Sequence, residues 1–367
     1  MKTIALIARV IVLVIIALFV LRFVASAQQP AAPDRDIDAA TRLAVIENLI
    51  KELNDGYVFP ETATKMAADL RSRSEGKEYD SLTSSIAFAQ KLTADLQAIS
   101  RDKHLRVRFS YEPLPVRADR REPTAEEKAA NELQMKRVNY GFERAERMGG
   151  NVGYIELRGF MDPKAGAATV AAAMTMVANT DALIFDLRRN GGGSPEMVAL
   201  ISSYLFDKRV HLNDLYFRPS NTTREFWTDP GVSSTKFDRD VYVLTSSYTF
   251  SAGEEFTNNL KVLKRATIVG ETTGGGANPG GTVRLSEHFG VFVPTGRAIN
   301  PTTKTNWEGT GVEPDVKVDK DLALKTAYVL AIKKMQASEK DANLRSQLQR
   351  FIDQTEKEIN EMKKTAK

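Results

Sequence analysis

The sequence predicts an α/β layered core preceded by a small helical bundle, and three observations carry that prediction. Between residues 150 and 318, short apolar runs of strand length alternate with helical patterns, the signature of a layered α/β core. Between residues 40 and about 100, apolar residues recur at helical spacing with no strand signal between them. The 367 residues are 42% hydrophobic and 27% charged, enough for a sizeable core and for two structural units.

The elements follow in order. Lys2 and Arg9 precede an uncharged apolar run at 10–21, and Ala25-Ser26-Ala27 is a small-x-small cleavage site, so residues 1–27 read as a secretory signal. Arg22 closes that run short of the roughly 20 residues a spanning helix needs, so membrane contact is expected only if the segment stays uncleaved. The chain has no Cys, which excludes disulfides and a lipid-modified Cys. A periplasmic or extracellular location is expected. Residues 28–37 read as a linker, and 38–112 as the helical N-terminal domain, with Leu43, Ile46, Leu49 and Ile50 on one helix. Ala67, Leu70, Phe88, Leu92 and Leu96 continue the pattern, and Tyr57-Val58-Phe59-Pro60 separates the first helix from the second. Residues 105–111 form a candidate strand. A charged connecting segment occupies 113–149, where Thr124-x-x-Glu127 is a capping box opening a solvated helix.

The core spans 150–335. Strands are expected at 151–160, 182–187, 241–245 and 266–269, with helices at 165–178, up to 205, and 252–263. Residues 274–281 read as a flexible Gly-rich loop and 282–295 as a β-hairpin. From 336 to 367 the chain ends in an amphipathic helix, with Leu344, Leu348, Phe351, Ile359 and Met362 on one side. That face packs on the body or makes a homo-oligomer with a second copy; the pattern suits both.

Composition also prunes the chemistry. The net charge of +4 is scattered, with no basic stripe, so no nucleic-acid partner is expected. His104, His211 and His288 stand far apart with no ligand spacing, so no metal and no cofactor are expected. The phosphate-binding Walker loop and the G-x-S-x-G elbow are both absent from the sequence. Serine chemistry, carboxylate chemistry or pure binding remain. Ser251 stands where a strand ends and a helix begins, beside free amides and the positive end of the helix dipole, with Ala252 N–H the natural oxyanion donor. Ser251-x-x-Glu254 is equally a capping box. Asn190-Gly191-Gly192-Gly193 follows a buried strand, and glycine there lets backbone approach a substrate or simply makes a tight turn. His104, in Asp102-Lys103-His104-Leu105, falls at the junction of the two units. Glu308, in Trp307-Glu308-Gly309, falls in a loop.

Taken in order, Asp186-Leu187-Arg188-Arg189-Asn190, the three glycines, Ser251-Ala252-Gly253-Glu254, Val269-Gly270-Glu271-Thr272-Thr273-Gly274-Gly275 and Gly311-Val312-Glu313-Pro314-Asp315 form a recognisable set. The set resembles the family of tail-specific (C-terminal-processing) proteases and interphotoreceptor retinoid-binding proteins. The helical part is similar to the retinoid-binding-protein branch. This resemblance implies a core of ββα units like that of crotonases and Clp proteases, with Ser251 as nucleophile. The tail-specific branch carries a Lys base where this chain has Gly276, and a PDZ module for which 111–149 is too short. The tricorn-type branch uses Ser, His and Glu, which match Ser251, His104 and Glu308, although Lys103 stands where that pattern has a serine. Relatives often have Pro where Gly191 stands, so Gly192 joins Ala252 as the expected second oxyanion donor. The implied function is an exported serine endopeptidase acting on polypeptides. A non-catalytic binding protein for lipophilic ligands or peptides on the same scaffold is the alternative.

Overall fold

The structure is a computed structural model that describes residues 33–115, 124–234 and 236–365; the signal at 1–27 lies outside the described residues. Three helices open it. Asp38 caps α1 (Ala39–Gly56) by accepting from Thr41 N–H, Pro60 starts α2 (Pro60–Glu75), and Ser84 caps α3 (Ser85–Ser100). Val45, Leu49, Leu53, Met66, Leu70, Phe88 and Leu92 are buried between them. Residues 33–37 are not free linker: Asp36 bridges to Ser84, and Ile37 is buried with its N–H bonded to the Thr83 carbonyl at 2.8 Å. The strand β1 (Arg106–Phe109) follows. Next comes α4 (Ala125–Arg137), whose box is complete, with Glu127 Oε2 accepting from Thr124 N–H at 2.8 Å and Thr124 Oγ1 from Glu127 N–H at 3.2 Å. None of its residues is buried, as expected of a solvated helix.

The core contains β2 (Phe142–Met148), β3 (Val152–Leu157), α5 (Pro163–Met176), β4 (Ala182–Asp186), α6 (Pro195–Ser202), β5 (His211–Phe217) and β6 (Thr222–Trp227). It continues through β7 (Asp240–Thr245), α7 (Ala252–Val262), β8 (Ala266–Gly270), β9 (Gly280–Arg284), β10 (Phe289–Pro294), β11 (Gly296–Ile299) and β12 (Val316–Lys317). Two helices, α8 (Lys320–Ser338) and α9 (Ala342–Thr365), close it. The central sheet has six strands in the order β12-β8-β7-β4-β3-β2, all parallel except β2. Its central strands are apolar on both faces because both faces are covered. In β4, Leu183 and Phe185 join the core under α5, α6 and α7, while Ala182 and Ile184 join the one under α8. β2 belongs to this sheet although the sequence places it in the charged connecting segment. Its register with β3 runs from Phe142↔Leu157 to Met148↔Val152, and its charged side chains suit an edge strand.

The helical part is not a separate bundle. β1 pairs antiparallel with β10, and β9 completes a three-stranded sheet. Leu285, Phe289, Val291 and Val293 of the later chain lie in the same buried cluster as Leu49, Phe88 and Leu92, with the Phe88 and Phe289 rings edge-on at 5.9 Å. The apolar face of α9 lies on the body, with Ile352 buried and Leu348, Phe351 and Ile359 packed on the core under α8. Among the described residues no helix is long and apolar enough to cross a membrane.

Because Phe289 bridges the two parts, Phe289→Ala is expected to cost about 3–5 kcal/mol, the usual range for a buried Phe. Chemical denaturation checks it, with the helical part and the core expected to unfold in one shared transition.

Candidate active site

Ser251 stands at the junction of β7 and α7 with φ +53° and ψ −121°. This is a conformation that non-glycine residues adopt only under constraint, at about 1–3 kcal/mol. The turn before it is latched to β4. Ser246 N–H bonds to Thr249 Oγ1 at 3.0 Å, Thr249 Oγ1–H to the Leu187 carbonyl at 2.8 Å, and Phe250 N–H to the Asn190 carbonyl at 3.1 Å. The carboxylate half of the expected box is present, with Glu254 Oε2 accepting from Ser251 N–H at 2.9 Å. Strain at a serine between a strand and a helix is the geometry of a nucleophile elbow, reached here without the G-x-S-x-G sequence.

Ser251 opens into a cleft of 740 Å³ between the helical part and the core, lined also by His104, Phe250, Gly191, Gly193 and Arg106. Gly192 lies directly against the serine: it has φ +106°, and a Cβ there would stand 2.7 Å from Ser251 Cβ. Its N–H, the expected second oxyanion donor, instead donates to the buried side-chain oxygen of Asn190 at 2.9 Å. The assignment of Gly192 is therefore corrected: that amide faces Asn190, and the glycines of this loop that line the cleft are Gly191 and Gly193.

His104 sits between α3 and β1, so the pairing of β1 with β10 fixes its position. Its ring packs on Phe250, the neighbour of the serine, at 4.5 Å, and stacks on Phe292 of β10 at 5.7 Å. Burial, and secondly Arg106, lowers its pKa to about 4, so the imidazole is neutral. Its Nδ1 is buried without a hydrogen-bond partner, and so is Glu308 Oε1. Glu308 is held through Oε2, which accepts from Ala277 N–H at 2.6 Å. Ligating atoms of His104, Glu308 and Asp102 all lie within 4.8 Å of one another.

Asp102 is the residue sequence reasoning missed, although an acid two positions before His104 offers an Asx turn. It is fully buried, accepts from His104 N–H at 3.0 Å, Asn278 Nδ2 at 2.9 Å and Tyr57 O–H at 3.3 Å, and has Oδ1 3.9 Å from His104 Nδ1. Its oxygens are thus engaged by the backbone of the loop that carries the imidazole, by Asn278 and by Tyr57. Burial raises the Asp102 pKa against the pull of its hydrogen bonds. Burial and the neighbouring Asp102 push Glu308 up to about 8.

The Gly-rich loop expected to be flexible is pinned. Glu254, itself fully buried, accepts from Thr273 Oγ1–H at 2.5 Å, Gly275 N–H at 2.6 Å and Gly276 N–H at 2.8 Å, and Lys103 Nζ donates to the Gly274 carbonyl at 2.6 Å. At Gly276 a Cβ would stand 2.2 Å from Phe250 Cζ and 2.8 Å from His104 Cε1. The place where the tail-specific branch carries its Lys is thus filled by the His104–Phe250 pair. On α7 itself, Glu255 is buried and its pKa is pushed up to about 8 by desolvation. Asn213 lies beside it, and Asn259 follows one turn along the same helix face.

Residues 151–318 match the model of peptidase family S41, and residues 39–141 match the N-terminal domain of peptidase S41 in eukaryotic IRBP. The chain is 32% identical over 165 residues to carboxyl-terminal-processing peptidase 2, chloroplastic, of Arabidopsis thaliana, covering 45% of this chain and 31% of that protein. It is 30% identical over 179 residues to the carboxyl-terminal-processing protease of Synechocystis, covering 48% and 40%. The match thus spans about a third of these relatives' length. In structure it is similar to a putative peptidase from Parabacteroides merdae, with TM-score 0.58 and 19% identity over 82% of this chain and 99% of that one.

Gly276→Ala is expected to cost about 1–3 kcal/mol, the usual penalty of overpacking, and to displace the His104 ring. Thermal unfolding measures the first effect and the His104 imidazole NMR shifts the second. Stability is also expected to fall from pH 6.5 to 8. His104, near 6.5 unfolded and about 4 folded, is neutral in the folded state throughout and sheds the half proton left in the unfolded state early in that window, a smaller and opposite effect. Glu255 keeps its proton in the folded state to about 8, whereas the unfolded chain has released it above 4.5, so raising the pH favours unfolding. Glu255→Gln should make the fall in Tm across that window shallower.

Proposed function

The chain belongs to peptidase family S41, and on that premise we propose that it is an exported serine peptidase that hydrolyses peptide bonds with Ser251 as nucleophile. One observation carries the reading: a strained serine at a helix N-terminus shares a cleft with a buried, neutral imidazole packed on the residue beside it. In this mechanism His104 takes the Ser251 hydroxyl proton as the oxygen attacks a peptide carbonyl, and returns it to the leaving amine. Water activated by the same imidazole then hydrolyses the acyl-enzyme. Glu308 acts from behind, accepting from Nδ1–H and stabilising the imidazolium, with Asp102 holding the backbone of the imidazole's own loop. Catalytic hydrogen bonds of this kind tighten when substrate binds.

The oxyanion is received by Ala252 N–H at the first turn of α7. The second donor is assigned to Gly193. Phe160 bonds to the Gly192 carbonyl and the Ser194 N–H, so the Gly193 N–H between them is turned the other way, and Gly193 lines the cleft. Export rests on the signal-like layout of residues 1–27. The cleft wall carries Lys103, Arg106 and Arg108 beside His104 and Ser251, three cations that suit a peptide better than a lipophilic ligand.

Protein lacking residues 1–27 is expected to cleave an unfolded protein substrate, and Ser251→Ala to reduce cleavage about 10³-fold or more, as read by product mass. If both proteins are folded and neither cuts, the binding alternative replaces this reading. Glu308 carries the negative charge that stabilises the imidazolium only when ionised, so kcat/KM is expected to rise with pH up to about 8. Glu308→Gln should lower kcat/KM about 10²–10⁴-fold and abolish that limb.

A further inference from the structure

A second recess, of 880 Å³, opens beside the cleft at the carboxyl ends of the central strands, and the two share Ser247 and Tyr248 as a common wall. Tyr248 is 65% exposed, and its hydroxyl is the atom nearest to where a side chain at Gly191 would project, at 3.8 Å. Tyr248 is three residues from Ser251, so their Cα atoms are at most about 11 Å apart. A peptide lying across Ser251 and over Tyr248 therefore reaches the recess within a few residues of the attacked bond.

The recess is cationic. Five basic side chains line it against three carboxylates, and two of those carboxylates are already matched. Asp186 holds Arg188 at 2.6 Å, and Glu156 holds Arg158 at 2.8 Å. Arg144 pairs outward with Glu146 at 3.0 Å. Arg189 and Lys320 are exposed, and neither side chain makes an ion pair or hydrogen bond among the described residues. Arg158 also faces Glu143, whose Oε2 lies 4.0 Å from its Nε. Only Asp321 is left to oppose these groups.

We propose that this recess is a subsite for a carboxylate of the polypeptide substrate, held by Arg189 and Lys320 a few residues from the bond that Ser251 attacks. The carboxylate is either the free end of the chain or an acidic side chain. Guanidinium and ammonium groups recognise both through charge-assisted hydrogen bonds. This proposal rests on the peptidase reading of the cleft, so its test uses binding rather than turnover.

Ser251→Ala protein is titrated into three fluorescein-labelled decapeptide pools and followed by anisotropy. One pool is free of Asp and Glu and ends in a free carboxylate, the second is its amidated counterpart, and the third is amidated with Glu at the last position. The free-acid pool is expected to bind about tenfold tighter than its amidated counterpart, with the preference shrinking as salt is raised. In the Arg189→Ala/Lys320→Ala background the acid pool should fall to the affinity of the amide pool, which itself stays unchanged and reports an intact fold. Tight binding of the third pool identifies an acidic side chain as sufficient, and weak binding identifies the chain terminus. Equal affinity for all three pools, or a preference that survives the double substitution, overturns the subsite. Cleavage of an unfolded protein with Ser251 in place reports separately on the peptidase reading.

Discussion

One buried carboxylate holds the site together. Glu254 has no exposed surface, and its two oxygens accept from Ser251 N–H, Gly275 N–H, Gly276 N–H and Thr273 Oγ1–H. Two segments far apart in sequence, the first residue before α7 and the loop after β8, are thereby fixed to one side chain. Burial lifts its pKa while those bonds pull it down, and burial wins. A carboxylate in that position has no substitute partner in water, so loss of any one donor leaves a buried acceptor incompletely satisfied. The constraint propagates outward: the loop holds Gly276 against Phe250 and His104, and Phe250 holds the ring of His104 beside the serine.

The central strands were legible because their burial on two faces leaves continuous apolar runs, as in β4 and β7. β2 was not, since Phe-Glu-Arg-Ala-Glu-Arg-Met carries the charges of a solvated segment and only its register against β3 makes it a strand. The β5–β6 hairpin is similarly hidden, because Thr222 to Glu225 are exposed and leave no apolar alternation. Glycine content misled at 274–276, where the backbone freedom that suggests flexibility instead allows three layers to meet without side chains.

The site was legible as a set of residues and not as a set of directions. Ser251 and His104 share a cleft and Glu308 stands near His104, yet sequence cannot say which way an amide points, and Gly192 N–H turns to Asn190. Asp102 escaped notice for a different reason: its carboxylate acts on the backbone of its own loop and on Asn278, a contact that depends on the later chain. His104 and a basic residue at 276 are alternatives in space, since the volume that the one occupies is the volume the other would need.

The sharing of β10 between the two halves also sets an order of events during synthesis. β1 and the three helices before it emerge from the ribosome long before residues 289–294, the strand that fills their core and positions His104. Until that strand arrives, the early helices lack Phe289 and Val291, and the contact that completes them spans most of the chain, which makes its closure slow. A nascent chain therefore carries Ser251 on the growing core before it carries an aligned imidazole. The placement of His104 in the cleft of Ser251 thus waits on the completion of the polypeptide past residue 294.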